Sequence, residues 1–222
     1  MSHTLTVGLT DLSRELGETT VQTGPTRIRA YNDAIIDFAN EKKWPFLVKE
    51  SVALATQVGV KTYSLTGISD MRFPGPVKEI YLGDDTTPYT PIEWADRNNA
   101  DIEDGKHFYL NPDETSLTFK GDITAVKTIH LWYYYIPARI EDTNSSSLFP
   151  IPDRYRKVVA TLAAAYVQWS RYLDAQGNRL YNFYEKMVGK VKDQQSERNA
   201  KSPMKLPHYL KFRGFRRTYP GR

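Results

Sequence analysis

Residues 152–198 carry the pattern that most restricts what this chain can fold into. Apolar or aromatic side chains fall at Tyr155, Val159, Leu162, Tyr166, Trp169 and Leu173, alternately four and three residues apart. The spacing resumes at Leu180, Tyr184, Met187 and Val191. Such steps align side chains on one face of an α-helix, and a long apolar face must be covered by other elements. Pro152 suits a first helical turn, where its missing N–H goes unused, and Asp153 complements the positive end of a helix. Leu173 and Leu180 stand seven residues apart, so the seam keeps phase through Asp174-Ala175-Gln176-Gly177-Asn178 and allows one long helix. Gly177-Asn178 is also a candidate C-cap followed by a restart, and two packed helices are the reading adopted.

The preceding chain divides by period. Residues 1–8 show no pattern and are expected to be loose. Thr10 is expected to cap a short helix carrying Leu12 and Leu16 one turn apart, ended by the polar stretch 17–24. Pro25-Thr26 opens a second helix to about Lys43, with Ile28, Tyr31, Ile35, Phe38 and Ala39 on one face. Trp44-Pro45 closes it, because a residue before proline is pushed out of the helical region. From Leu47 to Ile136 the pattern reads as short strands. Val48, Val52 and Leu54 share a parity; residues 61–65 follow a break at 57–59; residues 77–82 follow the turn Pro74-Gly75-Pro76. Residues 107–110 and 116–119 flank Asn111-Pro112-Asp113-Glu114, a hairpin signal, and residues 94–100 are read as a helical turn.

The strongest strand, residues 126–136, is bulky on both faces and is expected to be central and covered on both sides. Residues 140–150, with Asn144-Ser145-Ser146-Ser147, form a polar connector back to helix. The expected class is α+β: a helical bundle built from N- and C-terminal segments, with an inserted antiparallel sheet or small sandwich of five or six strands and an extended C-terminal arm. The corresponding divisions are residues 1–47, N-terminal helices; 48–137, β-rich insertion; 138–199, C-terminal helices; and 200–222, a basic-aromatic arm.

Several chemistries find no support. The 222 residues include no cysteine, which removes disulfides, thiolate zinc sites and cysteine nucleophiles, and points to a reducing compartment. No apolar run is long enough for a transmembrane helix, and no basic-then-apolar leader opens the chain. His3, His107, His130 and His208 lack metal-ligand spacing, and His130 is read as a hydrogen-bonded structural histidine. Asp84-Asp85 and Asp101-Ile102-Glu103-Asp104 adjoin glycine in turns, where solvated acids are the default; the second lacks the order of an EF-hand loop. Nucleophile-elbow, P-loop and dinucleotide motifs are absent. Ser145, Ser146 and Ser147 have no histidine nearby in sequence. No catalytic residue, metal ligand or cofactor is assigned, and the chain is read as non-enzymatic.

Charge singles out one end. Residues 200–222 hold seven basic residues and no acid, leaving 23 basic and 26 acidic groups in residues 1–199, a net of −3. Within the arm, cations interleave with large apolar side chains at Lys205, Tyr209, Phe212, Arg213, Phe215, Arg216, Arg217 and Tyr219. Ser202-Pro203, Leu206-Pro207 and Pro220-Gly221 argue against regular structure there. A purely solvated tail would be polar, so the segment reads as an arm that orders on a partner. Arginine suits acidic or phosphate surfaces, and aromatic anchors suit pockets between subunits. Single-stranded nucleic acid, bound by charge and stacking, is the alternative partner. The acidic body and the lack of a nucleic-acid-binding motif favour protein.

The order of features resembles the head-to-tail adaptor (connector) proteins of tailed bacteriophages, from about Leu9 to Gln195. The residues that carry the resemblance are the helical run 27–43 closing on Trp44-Pro45-Phe46, Tyr63-Ser64-Leu65 before Val77-Lys78-Glu79-Ile80, and Phe108-Tyr109-Leu110-Asn111-Pro112-Asp113. They continue with Leu131-Trp132-Tyr133-Tyr134-Tyr135-Ile136-Pro137, Phe149-Pro150-Ile151-Pro152 before an Ala-rich helix, and Tyr172-Leu173-Asp174 before Asn182-Phe183-Tyr184-Glu185-Lys186. The sequence departs from the pattern in lacking a proline after Tyr63-Ser64-Leu65, and its basic-aromatic tail is not a general feature of the family. The resemblance implies a virion component of the neck, made in the host bacterial cytoplasm. It implies a homo-dodecameric ring under the portal protein, in contact with neighbouring subunits and with a tail or tail-nozzle protein. Genomic DNA would pass through the channel without sequence-specific binding, and no membrane is involved. It also places residues 173–178 at a turn, so that the two C-terminal helices pair as a hairpin against the 27–43 helix.

Overall fold

The computed structural model describes residues 2–72, 77–99, 102 and 105–201, with side chains through Asp193. Its core helix is α3 (Arg156–Ser170), preceded by a single 3-10 turn at Asp153–Tyr155. Every residue of α3 from Val158 to Ala165 is buried, so this helix is apolar all round rather than along one stripe. Three other helices pack on it: α1 (Leu5–Glu15), α2 (Pro25–Asn40) and α4 (Asp174–Lys201). Alanines at 160, 163 and 164 are completely buried, which lets those helices approach closely.

Two helices do replace the single rod that phase allows, but the break lies at Arg171-Tyr172-Leu173, not at Gly177-Asn178. The N–H of Leu173 donates to the Gln168 carbonyl at 3.0 Å and that of Tyr172 to Trp169 at 2.9 Å, a Schellman closure with Tyr172 in the left-handed region at φ 59°. Gly177 lies inside α4 for a steric reason. A Cβ there would stand 2.3 Å from the Trp169 ring, and the indole N–H donates to Asn178 Oδ1 at 3.2 Å.

The amino terminus also departs from expectation. Thr4, not Thr10, caps α1, its hydroxyl accepting from the Val7 N–H; Thr10 sits within the helix and donates to the Thr6 carbonyl at 2.9 Å. The reason is burial: Leu5, Leu9 and Leu12 form the inward stripe, which begins earlier than the Leu12/Leu16 pair suggests. Ahead of them β1 (His3–Thr4) pairs antiparallel with β9 (Leu148–Phe149), within the stretch read as a polar connector. His3 is buried, not loose, between Tyr31 and Phe149. Helix α2 stops at Asn40, short of Lys43. Trp44 then folds back, donating its indole N–H to the Phe38 carbonyl at 2.7 Å and stacking on the Phe38 ring.

The β region is a small two-sheet sandwich. One sheet runs β2 (Val48–Ala55), β8 (Thr128–Tyr134), β4 (Val77–Leu82). The other runs β3 (Thr62–Ser64), β7 (Ser116–Lys120), β6 (His107–Leu110), β5 (Thr90–Pro91). Seven strands are thus present among the described residues where five or six are expected, and the β5–β6 pair is parallel. The sheets close over Ile80, Phe108, Leu117, Phe119, Ile129 and Leu131. The β6–β7 hairpin forms as the turn residues require, with Asn111 N–H donating to Ser116 at 3.0 Å. Trp94–Asn98 is a 3-10 turn. Strand β8 is central, but only Ile129, Leu131 and Tyr133 are buried; the opposite face is half-open, so cover is one-sided. An irregularity between Ser51 and Leu54 shifts the register of β2 and turns Val52 outward, 56% exposed. The turn Pro74-Gly75-Pro76 lies outside the described residues. Tyr135 packs against both the helical and the sandwich cores.

Candidate assembly surfaces

Asp85, His130 and Ser145 are each engaged in structural contacts. Asp85 lies 3.4 Å from Lys106 Nζ and 3.5 Å from Lys127 Nζ. Desolvation would raise its pKa, but the bonds and charges of these lysines outweigh it and hold the carboxyl below its ordinary value. His130 Nδ1 is 2.8 Å from Glu50 Oε1, across the β8–β2 pair, the structural bond expected of it. Ser145 Oγ accepts from the Ser147 N–H at 3.1 Å within its own turn. Asp101, Glu103 and Asp104 lie outside the described residues. Among the described residues, no group of three or more acids and histidines could hold a metal ion, and no helix is long and apolar enough to cross a membrane.

The eight arm residues assigned to docking, Lys205, Tyr209, Phe212, Arg213, Phe215, Arg216, Arg217 and Tyr219, also lie outside the described residues. The structure brings together three surfaces instead. The first is the turn between α3 and α4. Tyr172 is 92% exposed, and Leu173, which the periodicity assigns to the buried seam, is exposed with it; so is Phe183. Phe183 lines a groove of about 980 Å³ between α1, α3 and α4 whose walls include Leu16, Gln168 and Leu180. The second surface is one end of the sandwich. The loop after β2 is tied to the loop before β8 by Thr56 N–H to Lys127 O at 2.8 Å and Gly59 N–H to Ile123 O at 3.0 Å. Those loops expose Val58 and Val126, the latter 70% open to solvent. Exposed apolar side chains grouped in this way mark contact surfaces more often than chance positions.

The third surface is polar. Asp33, Asp37 and Glu41 succeed one another at single-turn spacing along and just past α2. Asp37 and Glu41 face Tyr166 of α3 and Tyr181 and Tyr184 of α4 across a hollow of about 420 Å³, and Asp33 lines an adjoining hollow with Asp37, Arg139 and Tyr166. The Tyr166 hydroxyl donates to Asp37. Glu41 accepts from the Tyr184 hydroxyl at 3.3 Å and from Lys192 at 2.6 Å. Asp33 is held by Arg139 at 2.5 Å. Burial first, and the neighbouring carboxylates second, push the Tyr166 and Tyr184 hydroxyls far above the ordinary tyrosine pKa, so both remain protonated donors. The four-residue spacing of the acids is visible in the sequence; the tyrosines opposite come from distant helices, and no local signal joins them.

These surfaces suit contact with other macromolecules better than turnover of a small molecule: they are shallow, apolar at two places and acidic at a third. No curated protein matches the chain. The family model described as SU10 adaptor protein matches residues 8–207, taking in α1 from Gly8 onward, the other three helices and the whole sandwich while leaving Tyr209 to Tyr219 beyond its end. By that match, the chain belongs to the SU10 adaptor protein family, phage adaptor proteins of the kind its ordered motifs resemble.

Proposed function

We propose that the protein is a structural, non-enzymatic component of the phage neck that forms a dodecameric ring beneath the portal protein and joins it to the tail or tail-nozzle protein. Genomic DNA passes through the channel of that ring without sequence-specific binding. The subunit is made in the host bacterial cytoplasm and ends in the virion. The observation that carries this reading is the family match across both cores. The exposed apolar groups at the α3–α4 turn and the sandwich end support it, because a ring subunit needs contact faces and no catalytic centre. Repetition around a ring multiplies weak contacts, so each need contribute only a modest free energy. A slightly acidic body, net −3 over residues 1–199, suits a channel that must not hold phosphates tightly.

The arm, through Lys205, Tyr209, Phe212, Arg213, Phe215, Arg216, Arg217 and Tyr219, is the docking element toward the portal and the neighbouring subunits. Among the described residues, the two cores are built from side chains up to Val191. Deleting residues 202–222 should therefore leave the monomer folded while abolishing ring formation on the portal. Rings at wild-type yield without the arm would remove its docking role. The arm's alternating cations and aromatics also support a second reading, binding of single-stranded nucleic acid. That reading requires affinity that falls steeply with salt and is lost on replacing Arg213, Arg216 and Arg217. No binding at low salt eliminates it.

A further inference from the structure

We propose that the acid–tyrosine hollow between α2, α3 and α4 is where the protein's own arm, residues 209–219, docks in the unassembled subunit. The inference rests on the reading of the arm as a docking element. Sign is the first argument. Among the described residues, the hollow and the one adjoining it at Asp37 and Tyr166 are lined by Asp33, Asp37 and Glu41 against Arg139 alone. Arg29 and Lys192 approach Asp33 and Glu41 from outside. Asp37 is exposed and accepts the Tyr166 hydroxyl, with no cation among the described ion pairs. Residues 200–222 carry seven cations and no acid, the complementary charge.

The walls are the second argument. Tyr181 and Tyr184 lie 5.9 Å apart between ring centroids, and Tyr166 opposes them across the hollow. Tyr184 is fully buried, while Tyr166 and Tyr181 are part-buried, and these two rings beside carboxylates give both a stacking surface for aromatics and a binding site for guanidinium groups. The arm supplies both kinds of group in alternation.

Reach is the third argument. Tyr184 precedes Lys201 by 17 residues, about 26 Å along α4 at ~1.5 Å per residue. An extended chain returns at ~3.3 Å per residue, so about eight residues are needed to come back to the hollow. Lys205 falls short, and Tyr209 is the first residue able to arrive. Five of the arm's large apolar residues, Tyr209, Leu210, Phe212, Phe215 and Tyr219, lie at or beyond that point, after Met204 and Leu206. Attachment to the same chain favours the subunit's own hollow over a neighbour's, since a short tether holds the arm at an effective concentration of roughly millimolar. An arm held there is withheld from the portal and from other copies until one of them competes for it.

The test uses the full chain at low micromolar concentration with p-benzoylphenylalanine in place of Phe212, cross-linked by light and mapped by mass spectrometry. The expected product is an intramolecular link into residues 33–41 or 178–188. Asp37→Asn, which keeps an acceptor for the Tyr166 hydroxyl, should cut its yield roughly five-fold, and about 0.5 M salt should do the same. Links scattered over the body, links indifferent to Asp37→Asn and salt, or links joining two copies would overturn the proposal. Ring formation on the portal is measured separately. Assembly that still depends on the arm without the expected link sinks only this docking site; assembly that ignores deletion of residues 202–222 sinks the docking role itself.

Discussion

Replacing Gly8 with alanine would set a methyl carbon 2.3 Å from Cε1 and Cζ of Tyr31. In an open helical position the same change helps, by about 1 kcal/mol. Here the ring has nowhere to go. Tyr31 is completely buried, its hydroxyl shares a 2.7 Å hydrogen bond with His3 Nε2, and its ring rests 5.8 Å from that of Phe149. Overpacking of this kind costs about 1–3 kcal/mol, and straining the buried bond to His3 adds about 1 kcal/mol. Set against the gain in helix propensity, Gly8→Ala should lower stability by about 1–3 kcal/mol. Urea unfolding followed by far-ultraviolet circular dichroism measures this, with Gly189→Ala as the control. Nothing lies within 4 Å of a Cβ at Gly189 in α4, so that variant should gain up to about 1 kcal/mol. If Gly8→Ala is stabilised as much as Gly189→Ala, the account of how α1 sits on Tyr31 is wrong.

Desolvation lowers the pKa of His3 from its ordinary 6.5, so the unfolded chain takes up the proton more readily than the folded one. Stability present above about pH 6.5 should fall as pH drops from there through the folded pKa, and His3→Gln should flatten that portion of the profile; an unchanged slope would contradict the assignment. Tyr172→Gly removes a solvent-exposed side chain from a left-handed backbone position and should stabilise the free subunit by about 1 kcal/mol. A loss of stability would show that Tyr172 has a partner within the subunit. Asn32 is buried, donates to the carbonyls of Ile28 and Ile140 at 2.9 and 3.0 Å, and accepts from the Ile140 N–H at 2.9 Å. Asn32→Leu should cost about 3 kcal/mol in the same urea assay, whereas a cost below about 1 kcal/mol would mean that other groups satisfy the Ile140 backbone.

Periodicity reveals which residues need cover, and the helical seam, the hairpin at Asn111 and the central place of β8 are legible for that reason. What it conceals is geometry that preserves phase. The link Arg171-Tyr172-Leu173 breaks the rod while leaving Leu173 and Leu180 seven residues apart, and a tyrosine in the left-handed C′ position has no compositional signature. Gly177 looks like a cap in sequence because glycine has two uses, and only the Trp169 ring against it tells close packing from termination. Strand parity fails at Val52 because the β2 irregularity depends on the partner strand. His3 looks loose because Phe149, its β-ladder partner, is remote in sequence. The candidate surfaces divide in the same way. The basic-aromatic arm is visible as composition; the acid–tyrosine hollow exists only once Asp37, Tyr166 and Tyr184 are gathered from three helices.

The most direct test of the account is the mass of the portal with and without this protein. A dodecameric adaptor should add twelve copies of the 25.5 kDa chain, about 306 kDa, to each portal ring, with twelve-fold symmetry in images of the product. A portal whose mass is unchanged, or one that gains a number of copies incompatible with a closed ring of twelve, would contradict it.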